Sequence, residues 1–287
     1  MDSKTKYSLG AALIGAFVLG GVTVVTYSNA QPAASSAGGA EARAIEAMQT
    51  ERSPVETSFS DMQEEEIRAL VYDYLMTNPE VIIDAVNSYQ RRLHVEQQER
   101  AVDGARANLA KLLDPKHGYI AGAGKEDAKI AVIELFDYHC GYCKRAAPLV
   151  KSILDNEKDV QVVFREYPIF GEKSNYAAEI ALAAREQDKF IDMHFAMMEA
   201  SGDLTKDRIK KIAQDNGVSF SKLEFARAKP VVSKSIFETH AIVDEMGVDG
   251  TPAFVVASLE GDYVNVVQGF NVDGLIQAID EARAASK

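Results

Sequence analysis

The chain has 287 residues, with 31 basic against 43 acidic side chains, a formal net charge of −12, and 47% hydrophobic residues. So acidic a chain argues against nucleic acid as a partner. Its two cysteines have no second Cys pair or His pair at ligand spacing, so no four-ligand zinc site is expected.

Lys4 and Lys6 precede an uncharged run from Tyr7 to Asn29, and Ser28-Asn29-Ala30 has the small-x-small pattern of a signal-peptidase site. Residues 1–30 are expected to be an export signal cleaved after Ala30. The run is also about long enough to span a bilayer, so an anchor retained at residues 7–29 is the alternative. Cleavage would remove Lys4 and Lys6 against Asp2 and take the charge from −12 to −13. Residues 31–59, rich in Ala, Ser, Gly and Gln at their start, read as a disordered tether.

Residues 60–113 turn helical. Ile67, Leu70, Val71, Tyr74 and Leu75 form one stripe, and Asn78-Pro79 reads as a cap and first-turn proline opening a second helix. That helix is expected to reach about Leu113. Ile82, Val86, Tyr89 and Leu93 make a narrow seam; Glu96 to Arg100 interrupt it, and Val102, Ala105, Leu109 and Leu112 resume it in another register. Such a seam must be buried, either on the same helix of another subunit, making a homo-oligomer, or on the chain's own domain. Residues 114–128, with Pro115 and three glycines, read as a linker.

Residues 129–287 suffice for one core. Lys129 to Phe136 is apolar and β-branched with one acid, Glu134, as in a central strand covered on both faces. Cys140-Gly141-Tyr142-Cys143 follows directly, and Ala147, Val150 and Leu154 mark a helix face containing Pro148. A cysteine opening a helix meets unpaired N–H groups and the positive end of the dipole, which favour the thiolate. Cys140 is therefore the expected nucleophile, and Cys143, one turn later, the resolving thiol of a redox-active disulfide. A structural disulfide closing so short a loop would stabilise little. With His139 the two thiols also make a Cys2His set able to hold Cu(I), although a histidine beside a reactive thiol serves more often as an electrostatic neighbour.

Further along, Val160 to Glu166 reads as a strand, ending at Tyr167-Pro168. Helices are expected at Ser174 to Arg185, around Phe190 to Met198, at Thr205 to Asn216 and at Val231 to Met246, an insertion of about residues 172–246. His194 reads as a satisfied core histidine and the nearby methionines as packing. Ala253 to Ser258 and Tyr263 to Gln268 read as a hairpin, followed by a helix from Val272.

This order is that of an α/β thioredoxin fold with an inserted α-helical subdomain, preceded by an N-terminal helical stalk. Leu135 to Arg145, with Gly247-Val248-Asp249-Gly250-Thr251-Pro252-Ala253-Phe254, resembles the DsbA-like family of exported thiol-disulfide oxidoreductases from about Ile120 onward. Tyr74 to Arg92 resembles the helical extension of its ScsC-like branch, named for suppression of copper sensitivity. The resemblance implies a periplasmic enzyme with no cofactor and no resident metal, exchanging disulfides with exported client proteins that carry cysteines. By position, Pro252 would be a cis-proline facing the thiols, and Thr251 would offer backbone groups to an extended client. His139, Gly141 and Tyr142 complete the implied client-binding surface. Glu134 would be the buried acid that relays the proton of Cys143, or else a structural partner of a lysine. Gly-Tyr between the cysteines and Thr before the proline resemble isomerases and reductases served by a membrane electron donor. A monomeric dithiol oxidase, a copper-protective thiol protein and an envelope scaffold are the alternatives.

Overall fold

The computed structural model describes residues 58–286. The export signal or anchor at 1–30, and all but the last two residues of the tether at 31–59, lie outside them. The chain divides after Asp73 into two units. Helix α1 (Asp61–Thr77) has no buried residue, and its residues 61–73 belong to the first.

Asn78 does not cap the following helix. Its side-chain amide donates backward to the Tyr74 carbonyl (2.9 Å) and closes α1, while Pro79, whose ring fixes φ at −63°, takes the cap position of α2 (Glu80–Leu112). The two registers of α2 have different fates. Ile82, Val86, Tyr89 and Leu93 are exposed, whereas Ala101, Ala105, Asn108 and Leu112 are buried. The change of register at Glu96 to Arg100 thus marks where the helix enters the core. Of the helical segment expected over 60–113, the last turns pack on their own domain.

A five-stranded sheet follows, in the order β1-β3-β2-β4-β5. Strand β2 (Ile130–Phe136) is buried along its whole length between β3 (Val160–Glu166), which runs parallel to it, and β4 (Ala253–Ser258), which runs antiparallel. Strand β5 (Val264–Gln268) closes the expected hairpin. Strand β1 (Tyr119–Gly122) corrects the sequence reading: residues 114–128 are not a plain linker, because 119–122 pair antiparallel with β3 as an edge strand. Four residues with a glycine at their end carry too short an alternation to declare a strand by themselves.

Alternate residues of the sheet feed two cores. Ile130, Val132, Phe136, Phe164 and Phe254 pack on one face with α3 (Gly141–Asn156) and α9 (Val272–Ala285). The helical insertion comprises α4 (Glu172–Ala184), α5 (Phe190–Glu199), α6 (Lys206–Asp215), α7 (Phe220–Arg227) and α8 (Pro230–Met246), with Gly247 ending α8 at φ +65°. Helix α7 was not expected; its eight residues hold only Leu223 and Ala226 as buried positions, too few for a visible period. On the opposite face Ala131, Ile133, Leu135 and Val255 pack with α8 and with Ala101, Ala105 and Leu112 of α2. The core therefore begins well before residue 129, the start expected for the domain.

Helix α2 is also fastened by polar contacts. Gln98 donates to the Val266 carbonyl (2.7 Å), Asn108 donates to Glu245 (2.7 Å), and Arg106 pairs with Asp262. At Gly104 a Cβ would lie 2.7 Å from the Met246 Cα, so glycine is what lets α2 and α8 cross at this spacing. Gly104→Val is expected to destabilise the protein by roughly 2–3 kcal/mol, the range of core overpacking, read as a lowered urea midpoint.

Candidate active site

The fully buried β2 ends at Phe136 and delivers the chain to the N-terminus of α3, where Cys140 is the cap residue with extended backbone (φ −75°, ψ 118°). Its amide donates to the Asp137 carbonyl (3.1 Å), and its own carbonyl accepts from Lys144 (3.1 Å). Both cysteines are free thiols, and Cys140 is only 4% exposed.

The pair is split in acidity. Cys140 is lowered to about 5, chiefly by a hydrogen bond from Cys143, against a burial penalty and with help from Thr251 and the backbone of Cys143 and Tyr142. Cys143 is pushed far up by burial and by giving that hydrogen bond, so it stays protonated. The Cys140 Sγ lies 3.2 Å from the Thr251 carbonyl, and the Thr251–Pro252 bond is cis. The nucleophile, resolving thiol and client-side loop predicted from the sequence are thus brought together.

Glu134 is entirely buried, and neither carboxylate oxygen has a hydrogen-bond partner. Burial raises it to about 8, so it holds its proton at neutral pH, and wherever it ionises its charge opposes ionisation of Cys143. Among the described residues neither oxygen is met by a lysine, so the ion pair expected as the alternative is not formed.

His139 lies beside the pair, with its Nδ1 3.2 Å from Ser174 Oγ and 4.0 Å from Asp137; burial lowers its pKa. Tyr142 is 58% exposed and Gly141 opens α3. Among the described residues no group of three His, Cys, Asp or Glu is arranged to hold a metal ion.

Two features went unread in the sequence. Asp137, fully buried, accepts from the amides of His139 (2.7 Å), Ile169 (2.7 Å) and Phe170 (3.2 Å) and from Ser174 Oγ (2.8 Å). It ties the active-site turn to the loop after β3; an acid two residues ahead of His139 at a strand end was the available signal. The second is the Tyr138 hydroxyl, which donates to Glu166 (3.2 Å) and lies 3.1 Å from His194 Nδ1. His194 is a core histidine as expected, ringed by Phe136, Phe164, Phe190 and Phe195, but its Nε2 has no partner. Met197 and Met198 are buried packing.

A thiolate at a helix start, backed by a protonated partner thiol and facing a cis-proline loop, performs thiol-disulfide exchange. Cys140 attacks one sulfur of a client disulfide, the other sulfur leaves as thiolate, and the mixed disulfide is resolved by a client thiol or by Cys143. The class is that of thiol-disulfide oxidoreductases. The model of the DSBA-like thioredoxin domain matches residues 131–280, just over half of the chain, and that of the copper resistance protein ScsC N-terminal domain matches residues 63–93. The chain belongs to the DSBA-like thioredoxin family.

A thioredoxin-like oxidoreductase from Silicibacter pomeroyi is 36% identical, covers 61% of this chain and 96% of its own, and superposes with a TM-score of 0.55. BcfH of Salmonella enterica Typhimurium is 28% identical over 77% of this chain and 96% of its own, with a TM-score of 0.65. ScsC of Proteus mirabilis in a transitional conformation is 28% identical over 79% of this chain and 99% of its own, with a TM-score of 0.56. A curated relative, the Na(+)/H(+) antiporter NhaA 3 of Salinispora tropica, is 27% identical over 203 residues; the match spans 68% of this chain but only 30% of the antiporter.

Alkylation of the reduced protein by iodoacetamide is expected to be flat above about pH 6 and to fall about tenfold per unit below the Cys140 pKa of about 5. Cys140 binds its proton less tightly folded than unfolded. The reduced protein therefore loses stability relative to the disulfide form as pH falls from the ordinary thiol range to about 5, which thermal scans of both forms would show.

Glu134 has the opposite sign: its proton is held more tightly folded, so its contribution declines as pH rises from 4.5 to about 8. Glu134→Gln is expected to stabilise on the order of 3 kcal/mol at pH 7, with the gain vanishing near pH 4.5. The same variant should slow Cys143-driven release of a mixed disulfide roughly a hundredfold.

Proposed function

We propose that this chain is an exported, periplasmic disulfide isomerase or reductase that acts on cysteine-bearing exported proteins as a homo-oligomer and is kept reduced by a membrane thiol-disulfide donor. One observation carries the oligomer and, with it, the preference for isomerase: among the described residues, fifteen of the twenty-two exposed large hydrophobic side chains lie between Phe59 and Val95. In water such a density calls for a cover, and the four-three-four spacing of Ile82, Val86, Tyr89 and Leu93 suits the same helix of a second subunit. Several active sites on one assembly would hold a misfolded client while its disulfides are exchanged repeatedly.

A low Cys140 pKa does not separate isomerase from oxidase, because both need the thiolate. The preference rests on the Gly-Tyr dipeptide and Thr251, which resemble isomerases, and on the apolar helices. Residues 7–29 would serve as an inner-membrane tether if they are retained.

The test is reactivation of a scrambled multi-disulfide protein by residues 31–287, alongside sedimentation analysis. Cys140→Ser should abolish reactivation, and Ile82→Glu with Val86→Glu and Leu93→Glu should yield monomers that lose most of it. Wild-type monomers, or a protein that only oxidises reduced clients, would replace this reading with the monomeric oxidase.

A further inference from the structure

The rim of the site carries a cation that the exchange reaction does not use. Arg145, in the second turn of α3, is exposed, and its guanidinium carbon lies 5.3 Å from the centre of the Tyr142 ring and 4.9 Å from that of Phe270. It forms no ion pair among the described residues, although acidic side chains outnumber basic ones by 43 to 31 in this chain. A guanidinium held by rings keeps its N–H edge for a planar acceptor, and a carboxylate is the acceptor that meets it with two bonds.

Phe270 is fixed relative to the client-side loop. The Gly269 amide donates to the Pro252 carbonyl (2.8 Å), and the Asn271 amide returns to the Gly269 carbonyl (3.1 Å). Arg145 therefore sits between the helix that carries Cys140 and the turn attached to Pro252. Space beside the thiol is open as well. A Cβ at Gly141 or Gly250 would meet nothing within 4 Å, and neither glycine has a positive φ that would demand its presence. With no conformational reason for glycine and no protein atom filling the space, these positions leave a shelf for the backbone of an incoming chain.

We propose that Arg145 is a specificity-determining residue, and that the preferred client is an extended segment with an acidic side chain within two residues of the reacting cysteine. This rests on the exchange chemistry assigned to Cys140. In the step concerned the Cys140 thiolate forms a bond to one peptide sulfur, the peptide S–S bond breaks, and the second peptide leaves as thiolate. Cys143 then gives up its proton and displaces the first peptide. The protein is oxidised by two electrons to its disulfide, and the peptide disulfide is reduced to two thiols.

The experiment uses the reduced full chain and three symmetrical, self-quenched peptide disulfides identical but for Glu, Gln or Lys two residues after the cysteine. Each rate constant is divided by that for reduction of the same peptide by neutral dithiothreitol, which removes the effect of the side chain on thiol acidity. The Glu peptide is expected to react about fivefold faster than the Gln peptide, and the Lys peptide more slowly than either. Arg145→Gln should bring the Glu-to-Gln ratio to about one, Arg145→Lys should keep part of it, and added salt should shrink it in the wild type.

A wild-type ratio of one, or a ratio that survives Arg145→Gln, overturns the proposal. So does an equal slowing of all three peptides in Arg145→Gln, which would make the rim an apolar shelf with no preference for charge. Failure of the wild type to reduce even the Gln peptide would instead remove the exchange assignment on which the proposal stands.

Discussion

Two chemically identical side chains are made a stronger and a very weak acid by the burial of Cys143 and by the hydrogen bond its thiol gives to the Cys140 sulfur. That bond persists only if the donor is kept from ionising. That is the work of the surrounding core, which buries Cys143 completely and places the unpartnered Glu134 where its charge would oppose a second anion. The fold can be read as the support for that asymmetry. A strand covered on both faces supplies a dry floor, and its exit places Cys140, still in extended backbone, at the one point of α3 where amides are unpaired.

Polar groups that seem misplaced in the core belong to the same arrangement. Asp137 satisfies four donors from three segments and so fixes the turn before Cys140 against the loop after β3. Glu166, Tyr138 and His194 form a second buried group, in which burial raises the Glu166 carboxyl well above the usual carboxylate range and lowers the His194 imidazole to about 3. The sheet face under the catalytic helix thus holds its acids by hydrogen bonds at Asp137 and by burial that favours the protonated form at Glu134 and Glu166, whereas the opposite face is sealed by alanines and aliphatic side chains of α2 and α8.

Much of this was legible in the chain because the signals were local. The β-branched run before Cys140 announced β2, two cysteines three apart announced the chemistry, and Gly247 announced the end of α8. The break in the apolar seam at Glu96 to Arg100 was visible too, but not its meaning, since a change of register does not say which half finds a partner. Strand β1 and helix α7 are too short for a period, and their existence depends on neighbours distant in sequence. Asp137 and Tyr138 lay inside the recognised motif and still went unread, because every hydrogen-bond partner of their side chains apart from the His139 amide is 28 to 56 residues away.

The seating of α2 has a consequence for the client loop. Its 33 residues extend about 50 Å, from turns exposed to solvent to turns inside the core, without a proline or other break within them. Gly104 makes the close crossing with Met246, the last residue of α8, and five residues beyond it the chain reaches Thr251 and Pro252 beside the nucleophile. The crossing that seats the helix therefore lies only five residues of chain from the loop facing Cys140, so a side chain added at Gly104 is expected to register at Thr251 as well as in stability.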